Sequence, residues 1–182
     1  LLIAVLPGCA LTVDRIDLQY TPQPDARTIP GASNVALRVT ALDQRQDKTK
    51  VGSKKNGYGM EMAAIVVNED ASLTIRRAIE QELRARGFTL TPTASVNVVA
   101  EVTRFNNDFK MGFFAGDAVA DLYMGVSVRN ASDQILYSRQ VLAQGLEPSI
   151  QLASGDNAKL ALERALGNAI KTLFDDHAFL AA

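Results

Sequence analysis

Every second residue from Ala120 to Val128 is apolar (Ala120, Leu122, Met124, Val126, Val128), and a period of two is the signature of a strand with one buried face. Asn130-Ala131-Ser132-Asp133 turns the chain, and Ile135 to Ala143 continues as a second strand, so the pair reads as a β-hairpin. The apolar face of such a hairpin has to be covered by another layer. That layer is predicted between Ala158 and Phe174, where Leu162, Ala165, Leu166, Ala169, Ile170, Leu173 and Phe174 form a broad stripe at helical spacing. Its alanines allow a helix to lie close against a sheet. Ser154 or Asp156 can cap it after a loop from Gly145 to Gly155, and Gly167, ~1 kcal/mol worse than Ala inside a helix, marks the expected point of tight packing.

The rest of the chain supplies more of the same two kinds of element. A second helix is predicted over Asp70 to Arg86, with Ile75, Ala78, Ile79 and Leu83 on one side and Gly87 placed for a left-handed cap. Strands are predicted at Asp14 to Tyr20, Val35 to Leu42 and Ser95 to Phe105, with a short one from Phe88 that stops at Pro92. Met60 to Val67 reads either as a strand or as an irregular lead into the helix. Pro22, Pro24, Pro30 and Gly31 make Thr21 to Asn34 a connector. Strands, a helical crossover and a late hairpin imply an α/β fold: a single domain with a mixed β-sheet and two main helices packed against it. Of 182 residues, about 150 remain for that domain after the N-terminal segments, enough for one core.

The chain opens on Leu1-Leu2-Ile3-Ala4-Val5-Leu6-Pro7-Gly8-Cys9, an apolar run ending in small residues and the single cysteine. Its length suits the apolar region of a secretory signal and falls short of the ~20 residues of a spanning helix. Leu6-Pro7-Gly8-Cys9 resembles the lipobox of bacterial lipoproteins, with Pro7 where Ala, Ser or Thr is usual. That resemblance implies cleavage before Cys9 and acyl chains, palmitate among them, on Cys9, giving a membrane anchor. Ala10 after Cys9 implies the periplasmic face of the outer membrane rather than retention at the inner one. The expected organisation is therefore a signal remnant at 1–8, a lipidated N-terminus, edge strand and Pro-rich tether at 9–34, and a periplasmic domain at 35–182. The alternative is that Leu1 to Leu11 is a buried strand and Cys9 a free core thiol.

Asp43-Gln44-Arg45-Gln46-Asp47-Lys48 begins the most polar stretch, which continues through Lys50, Gly52, Lys54, Lys55, Gly57 and Gly59. In one reading Asp43 and Arg45 pair at a strand end, worth ~0–1 kcal/mol if exposed, and the lysines are solvated. In the other, Asp43, Arg45, Lys48, Lys50, Lys54 and Lys55 form a patch for phosphate or an acidic glycan. Gly52-Ser53-Lys54-Lys55 lacks the spacing of a phosphate loop. A strand ending in Asp-Gln-Arg-x-Asp soon after a lipobox, then an amphipathic helix closing in Arg86-Gly87-Phe88, resembles the YajG family of uncharacterised lipoproteins over most of the chain. That resemblance implies a fold similar to the N-terminal domain of TolB and to anticodon-binding-like domains.

Asn106 to Asp117 mixes turn residues with Phe109, Met111, Phe113 and Phe114. As a long loop these four are candidate contacts for a partner or lipid; folded as a hairpin over the sheet they are core. His177 is the single histidine, so a histidine-built metal site and a catalytic triad lack their parts, and neither cofactor nor metal is expected. Carboxylate pairs are the one enzymatic route left, and no spacing among Asp43, Asp47, Glu101, Asp117 and Asp121 selects a pair. A net charge of −1 gives no field towards nucleic acid. The function expected is a non-enzymatic binding or adaptor module of the cell envelope with a protein partner. The alternative is an auxiliary lipoprotein of a lipid-transport system, which requires a continuous apolar groove instead of an exposed patch with a polar rim.

Overall fold

The computed structural model describes residues 11–56, 58–112 and 114–182. In chain order the elements are β1 (Asp14–Ile16), β2 (Ala36–Asp43), β3 (Lys50–Lys55), β4 (Glu61–Val67), α1 (Ala71–Ala85), β5 (Thr89–Leu90), β6 (Val96–Met111), β7 (Gly116–Arg129), β8 (Ile135–Ile150), α2 (Gly155–Phe174) and α3 (His177–Ala181). The α/β class and the two main helices are as expected. The strands divide between two sheets, a three-stranded one ordered β1-β4-β3 and a five-stranded one ordered β5-β2-β6-β7-β8. In the larger sheet β5, β2 and β6 run parallel, and β7 and β8 complete an antiparallel meander from β6.

Helix α1 starts where the Asp70 side chain accepts the Ser72 amide at 2.9 Å and ends before Gly87, whose φ of +93° takes the left-handed cap. Helix α2 starts at Ser154, whose hydroxyl accepts the Asn157 amide at 3.4 Å. Both helices and the small sheet lie on one side of the large sheet. Ile75 and Ile79 of α1, Leu162, Leu166, Ile170 and Leu173 of α2, and Phe105, Leu122 and Met124 of the sheet are fully buried between them.

Four expectations change. The strand from Asp14 ends at Ile16, because Leu18 and Tyr20 keep the alternation by facing the core while the chain leaves β4 for the helices. The polar stretch contains β3, which pairs with β4 and so also makes Met60 to Val67 a strand. Asn106 to Met111 is no loop but the outer half of β6, registered against Gly116 to Asp121 of β7. Strand β8 runs on to Ile150 through Gly145, where an added Cβ would stand 2.0 Å from the Ala161 carbonyl of α2. The tight packing point is therefore Gly145; a Cβ added at Gly167 would meet nothing within 4 Å.

Candidate functional site

Cys9 and Phe113 lie outside the described residues. Phe109 is core, buried beneath the small sheet, and Met111 is partly buried at the strand end. Phe114 sits in the β6–β7 turn and is 90% exposed. Phe109, Met111 and Phe114 thus do not share one contact surface.

The six residues of the polar patch are likewise dispersed. Arg45 turns inward: its guanidinium holds both oxygens of Asp43 at 2.7–3.1 Å and donates to the carbonyls of Lys48, Lys50 and Phe105 at 2.7, 3.2 and 2.8 Å. The Asp43 side chain is wholly buried, so the pair is an interior clamp and not the exposed pair of strand ends that its sequence suggests. Lys54 is buried and reaches Asp14 at 2.9 Å, Lys55 meets Asp108, and Lys50 meets Glu61 at 3.5 Å. Lys48 stays exposed. These cations hold β3 to its neighbours.

Among the described residues, no element covers the other side of the large sheet. Cross-strand register places Thr40 and Leu42 of β2, Val99, Glu101 and Arg104 of β6, Asp121, Tyr123 and Gly125 of β7, and Gln140, Leu142 and Leu146 of β8 on that side. Leu42, Leu142 and Leu146 are 45%, 63% and 46% exposed. Between them the Arg104 guanidinium lies 5.5 Å from the Tyr123 ring centre and pairs with Asp121 at 3.0 Å, while Gln144 donates to the same carboxylate at 3.0 Å. Apolar points are set among paired charges and amides.

Two hollows bear on function. An apolar one of about 70 Å³ lies between α1, the sheet and α3, lined by Leu37, Leu83, Phe88, Val98, Phe179 and Leu180. A polar cleft of about 300 Å³ runs between α1 and β2, lined by Arg38, Thr40, Arg76, Glu80, Arg84 and Pro92. His177 borders a third, wider depression with Asp25, Arg27 and Asp175. Among the described residues no three of His, Cys, Asp and Glu converge as metal ligands, and no helix is long and apolar enough to cross a membrane.

The open sheet face and the arginine cleft were not singled out in the sequence. Arg76 and Arg84 are legible there only as the polar side of α1, and Leu142 and Leu146 only as breaks in the alternation of β8.

The family model described as "Uncharacterized lipoprotein" matches residues 22–182, and the chain belongs to that family. Over 111 residues it is 23% identical to the uncharacterized lipoprotein YajG of Escherichia coli (strain K12). That alignment takes in 59% of this chain and 54% of the relative, so the chain spans about half the length of the curated relatives it matches. Among solved structures, protein XCC0632 of Xanthomonas campestris, from the DUF330 family, aligns with a TM-score of 0.58 at 15% identity over 89% of this chain and 92% of its own. A protein of Caulobacter crescentus CB15 assigned as a lipoprotein aligns at 0.51 and 13% identity over 83% and 92%. At such identities the likeness is one of fold, and it lends nothing to the TolB analogy.

Proposed function

We propose that this member of the uncharacterised lipoprotein family is anchored through acylated Cys9 at the periplasmic face of the outer membrane, and that its domain holds a protein of the cell envelope without catalysing a reaction. The observation that carries the reading is the uncovered face of the five-stranded sheet, where Leu42, Leu142 and Leu146 stand exposed among Glu101, Arg104, Asp121, Gln140 and Gln144. Apolar anchors inside a polar, hydrogen-bonding rim are what protein interfaces are made of. The face has its Arg104 already paired with Asp121, so it offers no net positive charge to an anionic membrane surface. Its occupant is a folded protein that brings apolar side chains to the leucines.

The lipid-transport alternative needs an enclosed apolar cavity, and ligand sites usually measure about 300–1,000 Å³. The apolar hollow near α3 is about 70 Å³. That size weighs against carriage of an acyl chain.

The test is a photoreactive phenylalanine analogue at position 142 in intact cells, with the same analogue at the Ser132 turn as control. The expected result is one discrete protein adduct at 142 that is absent at 132 and lost on Leu146→Asp. Adducts with phospholipid alone, or the same protein adduct at both positions, overturn the reading.

A further inference from the structure

The large sheet has an edge that ends early. Strand β5 pairs with β2 at Ala36 and Leu37 only, and Pro92 then carries the chain away. Strand β2 itself runs to Asp43, so from Arg38 onward its side away from β6 has no neighbouring strand among the described residues.

The direction of the backbone groups follows from the bonds that do form. Thr89 and Thr91 donate to the carbonyls of Val35 and Leu37 at 3.2 and 3.1 Å, so odd-numbered residues of β2 address the β5 side. Alternation then points the N–H and C=O of Val39 and Ala41 out of the same edge. The Gln44 amide bonds to Val102 of β6 at 2.9 Å, which fixes the even-numbered residues to the other side. Elsewhere the sheet's edge is fended: along β8, Asn168 and Arg164 of α2 donate to the carbonyls of Gln144 and Leu146.

The cleft of about 300 Å³ lies along this bare edge, and its opposite wall is one flank of α1. Arg76, Glu80 and Arg84 follow one another at four-residue spacing there, and Arg38 joins them from β2. Two guanidiniums of the helix thus share one carboxylate. Glu80 lies 3.7 Å from Arg76 and 3.5 Å from Arg84, too far to satisfy either fork. The Arg76 Nε is buried and has no hydrogen-bond partner among the described residues.

We propose that this cleft takes an extended acidic segment of a partner protein, which adds to β2 as a further strand and sets its carboxylates against Arg76 and Arg84. Backbone groups of Val39 and Ala41 bind any sequence in extended form, and the arginines select acids, since a guanidinium fork matches a carboxylate. The edge from Arg38 to Asp43 accommodates about six residues. Its occupancy is independent of what covers the leucines on the open face, and the two are told apart by their variants.

The probe is a capped octapeptide of alternating Asp and Val, titrated into the whole chain and followed by fluorescence anisotropy and backbone amide shifts. The same peptide with Lys for Asp is the control. The expected result is binding at least tenfold tighter for the Asp peptide, with shifts at Val39 and Ala41. Arg76→Glu with Arg84→Glu should weaken it at least tenfold, and so should Ala41→Pro, which removes one edge donor. Leu146→Asp should leave it unchanged. Equal affinity for both peptides, no binding, or binding that survives Ala41→Pro in a folded protein overturns the proposal. Should Ala41→Pro fail to fold, the arginine pair decides: undiminished binding there overturns it equally. Shifts confined to the arginines, reproduced by inorganic phosphate, would make the cleft an anion site and not a strand site.

Discussion

Glu82 of α1 and Arg86, which caps the helix one turn later, form a buried ion pair that fastens the N-terminal connector to the helices. Glu82 also accepts the Tyr20 hydroxyl at 2.6 Å and the Gln23 amide at 2.9 Å, and the Arg86 guanidinium lies 4.4 Å from the Phe174 ring of α2. Burial raises the carboxyl, but hydrogen bonds from Tyr20, Gln23 and Arg86 outweigh it and hold Glu82 below its ordinary value, while burial and the same contact push the Tyr20 hydroxyl up.

Truncating one partner strands the other inside the protein. Glu82→Ala should therefore cost about 3–5 kcal/mol, roughly 10 °C in Tm, as should Arg86→Ala. Glu82→Leu combined with Arg86→Met should cost less than either single change, because no uncompensated charge is left. Calorimetry of the three variants checks it; additive losses would remove the claim of coupling.

A second interior pair makes a sharper case. Asp43 sits at the end of β2, and its partner Arg45 bonds to three carbonyls that belong to the turn before β3, to β3 itself and to β6. Asp43→Ala should again cost about 3–5 kcal/mol, whereas Lys48→Ala, in the turn after Arg45 and exposed, should stay within ~0.5 kcal/mol. Chemical denaturation of both variants measures the contrast, and similar losses would mean that Asp43 does not depend on burial for its effect.

That contrast also marks what sequence could and could not yield. Helices α1 and α2 and the β7–β8 pair were legible because Ile75, Ile79, Leu162, Leu166, Leu122 and Met124 recur at the period of the element they belong to. Strand β3 was not, since Lys50-Val51-Gly52-Ser53-Lys54-Lys55 has one large apolar residue and Lys54 is buried by Asp14, forty positions earlier. The outer half of β6 reads as a turn from Asn106, Asn107 and Asp108, and becomes a strand because β7 pairs along its whole length. The bare edge of β2 depends on β5 being two residues long, a fact of pairing that no periodicity carries.

Acid should loosen the C-terminal helix α3. Asp176 caps it through the Ala178 amide at 2.9 Å while accepting Arg139 at 2.6 Å and the Tyr137 hydroxyl at 2.9 Å. The bonds from Arg139, Tyr137 and Ala178 pull its carboxyl down from 3.8 to about 2. A depressed folded-state value means that the contribution is whole above the ordinary value and is lost as pH falls through about 2. Burial and the bond to Asp176 push Tyr137 up to about 12, so its contribution is whole below 10 and is lost as pH rises through 12. Asp176→Asn keeps a capping oxygen and removes the charge. The gap in Tm between the native chain and Asp176→Asn should be widest near neutrality and close towards pH 2; a gap that does not change with pH would contradict this.

Two glycines, one beneath α2 and one on its open side, should respond in opposite directions. At Gly145 of β8 an added Cβ would stand 2.0 Å from the Ala161 carbonyl, 2.3 Å from the Ala165 nitrogen and 3.0 Å from its Cα, all of them backbone atoms of α2 that cannot rotate aside. Relief requires α2 to lift from the sheet, and that helix carries Leu162, Leu166, Ile170 and Leu173 in the core. Gly145→Ala should cost about 3 kcal/mol or more, at or above the upper end for overpacking. Gly167 lies in the interior of α2 with nothing within 4 Å of an added Cβ, so Gly167→Ala gains helix propensity without a clash. It should stabilise by up to about 1 kcal/mol. Thermal melts of the two single variants and the double test both signs. A destabilising Gly167→Ala would show that α2 packs on that side as well, and a neutral Gly145→Ala would show that β8 does not lie where this register puts it.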